Sequence, residues 1–155
     1  MSDWRSNLLT QESDYEELVR GLRRVAVLGI KTEAQSGEPA FYVAEYLAHA
    51  GIEIVPVPVY YPETTSILGK PVVRRVVDAG PVDLVDVFRR PRDIPSHLDD
   101  LLAAKPPLVW FQLGIRNDEV AETLAKAGIK VVQDRCLLVE HRRFARDRRD
   151  GRFVP

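Results

Sequence analysis

The sequence predicts an α/β fold: a single Rossmann-like, doubly wound, mainly parallel sheet of five strands with helices on both faces. Three observations carry that expectation. Apolar runs near Val25–Leu28, Ile52–Val59, Val82–Phe88, Leu108–Leu113 and Lys130–Gln133 lack the alternation of a sheet with one wet face, so they read as strands buried on both sides. Segments with helical spacing separate them, and strand–helix alternation builds a parallel sheet through right-handed crossovers. The chain of 155 residues matches the length of one domain.

Each element has local signals. Ser13 followed by Glu16 is a capping-box pattern and predicts a helix to about Gly21. The first strand ends at Gly29, and a polar loop follows to Glu38. Pro39 suits the first turn of a helix, where its missing N–H costs nothing; Ala40, Val43, Ala44 and Leu47 recur at helical spacing, and Gly51 stops the helix. In the second strand, Pro56 and Pro58 rule out an ordinary central ladder at its far end. Gly69 and Pro71 precede an expected short helix through Arg74 and Val77, stopped at Gly80-Pro81. A helix is expected over Pro91–Ala104, restarting near Ser96. Asn117 caps the next, with Asp118 and Glu119 in its first turn and Gly128 at its end. A last helix is expected from Leu137 to about Arg146. The expected division is a loose arm over 1–10, the folded domain over 11–146, and a solvated polar tail over 147–155 where arginines mix with Asp147 and Asp150.

Composition narrows the function. Hydrophobic residues at 45% supply a core, and charged residues at 29% solvate the surface. A net charge of -1 argues against a general nucleic-acid binder, which carries a basic excess. Cys136 is the sole cysteine, so neither an internal disulfide nor a multi-thiolate metal site is possible, and a reducing compartment is expected. The polar N-terminus has no signal-like apolar core, and no apolar run is long enough to span a bilayer. The expectation is a soluble, cytoplasmic protein without a membrane or nucleic-acid partner.

In an open α/β sheet, ligands bind at the carboxyl ends of the strands, where strand order reverses. The first of these ends carries Gly29-Ile30-Lys31, with Ser36 in the following loop and a helix N-terminus at Pro39-Ala40; free N–H groups there favour phosphate. Gly29 and Gly37 do not make a full G-x-G-x-x-G fingerprint. No acid follows the second strand before Glu63, which counts against NAD, whose ribose hydroxyls need one. Pro56 and Val57 instead offer an apolar wall for an adenine ring. The third strand ends in Phe88-Arg89-Arg90-Pro91-Arg92, where guanidinium forks suit phosphate oxygens; Arg89 is nearest the strand, and Arg90 and Arg92 read equally well as solvated surface. The fourth ends in Gln112-Leu113-Gly114. His49 and His97 read as structural residues. Asp134-Arg135-Cys136 with Glu140-His141 is the one cluster open to a nucleophile, and Cys136 reads more simply as a half-buried structural thiol.

Taken in order, several segments resemble the stand-alone bacterial CoA-binding proteins. They are Val25–Gly29, Pro39–Leu47, Val55-Pro56-Val57, Ile67-Leu68-Gly69, Val85–Pro91, Val109–Arg116, and Asp134-Arg135-Cys136 with Glu140-His141. The resemblance spans about Arg20 to Phe144. Such proteins are similar to the CoA-binding domain of the succinyl-CoA synthetase α subunit. The resemblance implies a nucleotide-binding site with coenzyme A across the carboxyl edge of the sheet, at Gly29, Ile30, Lys31, Ser36, Pro39, Ala40, Pro56, Val57, Phe88, Arg89, Gln112 and Gly114. Two positions depart from the pattern: Lys31 stands where relatives often carry a small hydroxyl, and Pro58 where they often carry Asn. The synthetase's second domain has no counterpart in this sequence, so ligation by this chain alone is not expected.

The expected function is therefore binding of CoA or acyl-CoA by a non-catalytic module, with a protein partner as a further expectation. The alternatives are an NAD(H)-responsive regulatory domain and a thioester-acting enzyme using Cys136.

Overall fold

A computed structural model describes residues 3–148. Six strands form one parallel sheet in the order β1-β8-β7-β6-β2-β3: β1 (Leu8–Leu9), β2 (Arg24–Leu28), β3 (Glu53–Val57), β6 (Leu84–Val87), β7 (Leu108–Phe111) and β8 (Lys130–Val132). A separate antiparallel hairpin joins β4 (Ser66–Ile67) to β5 (Lys70–Pro71). The helices are α1 (Glu12–Arg20), α2 (Pro39–His49), α3 (Leu98–Ala104), α4 (Asp118–Lys126) and α5 (Leu137–Arg148).

The doubly wound parallel architecture stands as expected, with one more strand than the sequence indicated. The sixth is β1, in the segment expected to be a loose arm. Leu8 and Leu9 pair with Val131 and Val132, and Asn7 fixes the approach by donating to the Ala125 carbonyl at 2.9 Å. Two residues are too few to show a period, so the strand leaves no sequence pattern.

The two faces of the sheet bury separate cores. Alternation sends Val25, Val27, Ile54, Leu84 and Trp110 to one face, against Tyr15 and Val19 of α1, Phe41, Val43 and Leu47 of α2, and Leu137 and Phe144 of α5. Ala26, Leu28, Val55, Val85, Val109 and Phe111 go to the other, against Leu101 of α3 and Val120 and Leu124 of α4. Fully burying each large aliphatic or aromatic side chain is worth roughly 1.5–3 kcal/mol, which explains why the strands read as continuous apolar runs.

Three elements differ from their sequence expectations. The α1 cap is Gln11, paired reciprocally with Asp14, rather than Ser13 with Glu16. The helix expected after Gly69 is absent: Leu68 and Gly69, with φ of 54° and 71°, make the tight turn of the β4–β5 hairpin. Arg74 holds the preceding loop by donating to the carbonyls of Tyr60, Tyr61 and Thr64, and only a 3₁₀ turn at Val76–Ala79 follows. The segment from Pro91 runs as a 3₁₀ helix to His97 before α3 starts, because Pro95 lacks the N–H a continuous α-helix needs. β3 is an edge strand in the main sheet, as Pro56 requires, and the Pro56 carbonyl accepts from Val73 N–H at 3.0 Å.

Arg143 of α5 pairs with Glu12 of α1 and ties the last helix back to the first. The expected tail beyond Arg148 lies outside the described residues. Among those described, no helix is long and apolar enough to cross a membrane.

Candidate functional site

Strand order reverses between β2 and β6: the chain leaves β2 toward β3 on one side and returns to β6 on the other. At the carboxyl ends of these strands lies a groove of about 450 Å³, within the range of small-molecule sites. Lys31 reaches it from the β2 loop, Glu38, Pro39, Ala40 and Tyr42 from the start of α2, and Phe88, Arg89, Arg90 and Pro91 from the end of β6. Gln112, Leu113, Gly114 and Ile115 follow β7, and Cys136 precedes α5.

The floor depends on close backbone approach. Gly29 donates to the Val57 carbonyl at 2.9 Å and takes a φ of 88°, and Phe88 N–H donates to the Leu28 carbonyl at 2.8 Å. A side chain on Gly29 would collide with the Phe88 carbonyl oxygen. Gln112 is buried and its Oε1 accepts the Leu137 N–H at 3.0 Å, which locks the end of β7 to the start of α5. Gly114 N–H donates to Asp134 Oδ1 at 2.7 Å and holds the far wall.

The lining is graded along its length. Cations gather at the β2–β6 end. Arg89 stacks over the Tyr60 ring at 5.5 Å, donates through Nη1 to the Tyr60 hydroxyl at 3.3 Å, and donates through Nε to His97 Nε2 at 3.0 Å. The Arg89 hydrogen bond and positive charge hold the Tyr60 phenol below its usual range. Lys31 is paired with Glu38, and that hydrogen bond raises the ammonium's pKa. Toward β7 the lining is apolar, with Leu113 67% exposed, and Tyr42, 40% exposed, faces the groove from the first turn of α2.

The groove brings together Lys31, Pro39, Ala40, Phe88, Arg89, Gln112 and Gly114 of the residues singled out in the sequence. Gly29 lies beneath it as a backbone contact. Ile30, at 1% exposure, points into the core, Ser36 sits on the exposed loop, and Pro56 and Val57 are buried in β3 rather than presented as a wall. Sequence reasoning missed Glu38, Tyr42 and Leu113 as lining residues. Their only signals were adjacency to Pro39 (Glu38), a position one helical turn into α2 (Tyr42) and adjacency to Gln112 (Leu113).

The Cys136–His141 pair weighed from sequence takes another form. Cys136 is half-buried at the groove, while His141 Nδ1 meets the Tyr46 hydroxyl at 2.9 Å on the α2–α5 contact. Beneath the groove floor, Asp86 is fully buried between Val27 and Trp110, and neither carboxylate oxygen has a hydrogen-bond partner among the described residues. Burial holds its carboxyl well above the usual carboxylate range.

Comparison with known proteins agrees with this architecture. A family model described as a CoA binding domain matches residues 23–142. The uncharacterized protein YneT of Bacillus subtilis (strain 168) is 30% identical over 131 residues, covering 84% of this chain and 93% of that protein. A Thermus thermophilus structure, cell-free ID.343, is 38% identical with a TM-score of 0.78, covering 87% of this chain and 99% of its own. A dinucleotide-forming acetyl-coenzyme A synthetase from Ca. Korarchaeum cryptofilum, solved with phosphate and ADP, shares the fold over 76% of this chain and 26% of its own, at 18% identity and a TM-score of 0.60.

Proposed function

The chain belongs to the CoA binding domain family, and we propose that it holds coenzyme A or an acyl-CoA in the groove at the carboxyl ends of its strands, as a binding module without chemistry of its own. The observation that carries this reading is the grading of the groove, with cations at one end and apolar surface at the other. A CoA molecule has a matching asymmetry, with its charged phosphates toward one end and an uncharged pantetheine arm, ending in a thiol or an apolar acyl group, at the other. Its phosphates lie at Arg89 and the start of α2, where the guanidinium and the helix N-terminus both favour negative charge. The pantetheine passes Gln112 and reaches Leu113, Ile115 and Cys136, and an acyl group extends it over Leu113 and Tyr42.

The Lys31–Glu38 pair has a direct consequence in this reading. Glu38 sits where phosphate is to bind and already occupies the Lys31 ammonium. Glu38→Gln removes a like charge and frees Lys31, so CoA affinity is expected to rise about three- to tenfold, the size of an exposed charge interaction of roughly 1 kcal/mol. Arg89→Ala is expected to weaken CoA about tenfold or more through loss of a charge-assisted contact. Equilibrium dialysis with CoA measures both. Wild-type binding unchanged by either substitution would place the ligand elsewhere.

A further inference from the structure

His97 stands behind the groove's arginine, outside the groove lining. Its ring is half-buried at the junction of the Pro91–His97 turn and α3, and its Nε2 receives the Arg89 Nε hydrogen at 3.0 Å. Arginine has no acceptor, so Nε2 must offer a lone pair, and the bond exists only while the imidazole is uncharged.

We propose that His97 is a positioning residue for Arg89, and that its uncharged form sets the affinity of the groove for the phosphates of CoA. The inference rests on the groove being the CoA site. With Nε held by His97 and one Nη1 hydrogen by Tyr60, the guanidinium is fixed at two points. Nη2 has no partner among the described residues, so that edge is left for a phosphate. Holding the fork in place before the ligand arrives removes an ordering cost from binding.

Protonation of His97 sets an N–H against an N–H and one cation against another. Two acids near the ring, Asp100 and Asp93, favour its protonation, but burial and the Arg89 charge outweigh them. Asp93, on the same turn, accepts from Arg90 at 2.8 Å, and Asp100 of α3 accepts from the Val76 and Val77 N–H groups at 2.6 and 3.0 Å. Arg89 and Tyr60 face the ring's side of the groove and add no negative charge at neutral pH. Burial, followed by the Arg89 charge, holds the His97 pKa below its usual range, so the bond persists at neutral pH and is lost in mild acid. A bound phosphate attracts a protonated His97 through space, but the Arg89 cation lies between them and opposes that attraction.

The test is CoA affinity across pH for wild type, His97→Gln and His97→Ala. Glutamine places a non-titrating acceptor near the Nε2 position. Near about pH 7.5, His97→Gln is expected to bind like wild type and His97→Ala about tenfold more weakly. As pH falls below the usual histidine range, wild type is expected to lose affinity progressively relative to His97→Gln, by up to about tenfold, a ratio that cancels titration of the CoA phosphates. In an Arg89→Ala background, His97→Ala is expected to have no further effect, and this cycle decides the matter if His97→Gln fails to fold. Superimposable pH profiles for wild type and His97→Gln, or additive losses in the cycle, would overturn the role of His97 while leaving the CoA site intact. Absence of CoA binding by wild type would overturn the site reading and this inference together.

Discussion

A Gly29→Ala chain is expected to lose about 2–4 kcal/mol of stability and most of its affinity for CoA. Two effects combine at this position. The backbone φ of 88° lies where an L side chain is strained, and a Cβ there would sit 2.2 Å from the Phe88 carbonyl oxygen. No side chain can rotate away from that contact, because both partners are main chain. The end of β6 must retreat, and it carries Phe88 and Arg89 out of the groove wall. Gly37 supplies the control: no atom lies within 4 Å of a Cβ built on it, so Gly37→Ala is expected to be close to neutral. Urea unfolding of the two variants separates the cases, and equal stabilities would refute the close-approach argument.

The second large effect is at Asp86. Its carboxyl is fully buried, unpartnered and held well above the usual carboxylate range by burial. The folded chain therefore keeps a proton that the unfolded chain gives up near about pH 4. Below that pH both states are protonated and the group imposes no pH-dependent penalty. As pH rises toward the folded pKa, the unfolded state is progressively favoured, and stability falls. Asp86→Asn removes the titration at nearly constant shape. The variant is expected to gain about 1–3 kcal/mol over wild type at neutral pH, with the gain shrinking toward zero near about pH 4. Each kcal/mol corresponds to roughly 2–4 °C in Tm for a chain of this size. Because Glu140, also raised by burial, is present in both proteins, it cancels in the difference. Stability curves that run parallel from acid to neutral pH would show that Asp86 does not titrate as its burial requires.

Much of the fold was legible because burial on both faces writes itself into the chain. Strands such as Val25–Leu28 and Leu108–Phe111 must be apolar throughout, and the glycines that end α2 and α4 mark their limits. The missing pieces had weaker physical signals. β1 is two residues long, and its pairing with β8 is decided by tertiary contact. The β4–β5 turn puts Leu68 at a positive φ, which its sequence does not advertise, and the Leu68 N–H is held by Glu33 at 2.8 Å.

The site was legible by position more than by side chain. Strand ends name the loops that face a ligand, so Lys31, Arg89, Gln112 and Gly114 could be singled out. The sheet is covered on both faces, so Pro56 and Val57 are buried whichever way the pleat turns them, and Ile30 turns into the core just beyond β2. The restraint on Arg89 by His97 was invisible, since a hydrogen bond spanning eight positions and a 3₁₀ helix leaves no pattern in sequence.

The central claim is tested most directly by calorimetric titration of the reduced protein with CoA, run beside dephospho-CoA, ADP and NADH. CoA is expected to bind at micromolar affinity or better, of order −8 kcal/mol, and more weakly once the 3′-phosphate is removed. No heat with CoA and clear binding of NADH would contradict it.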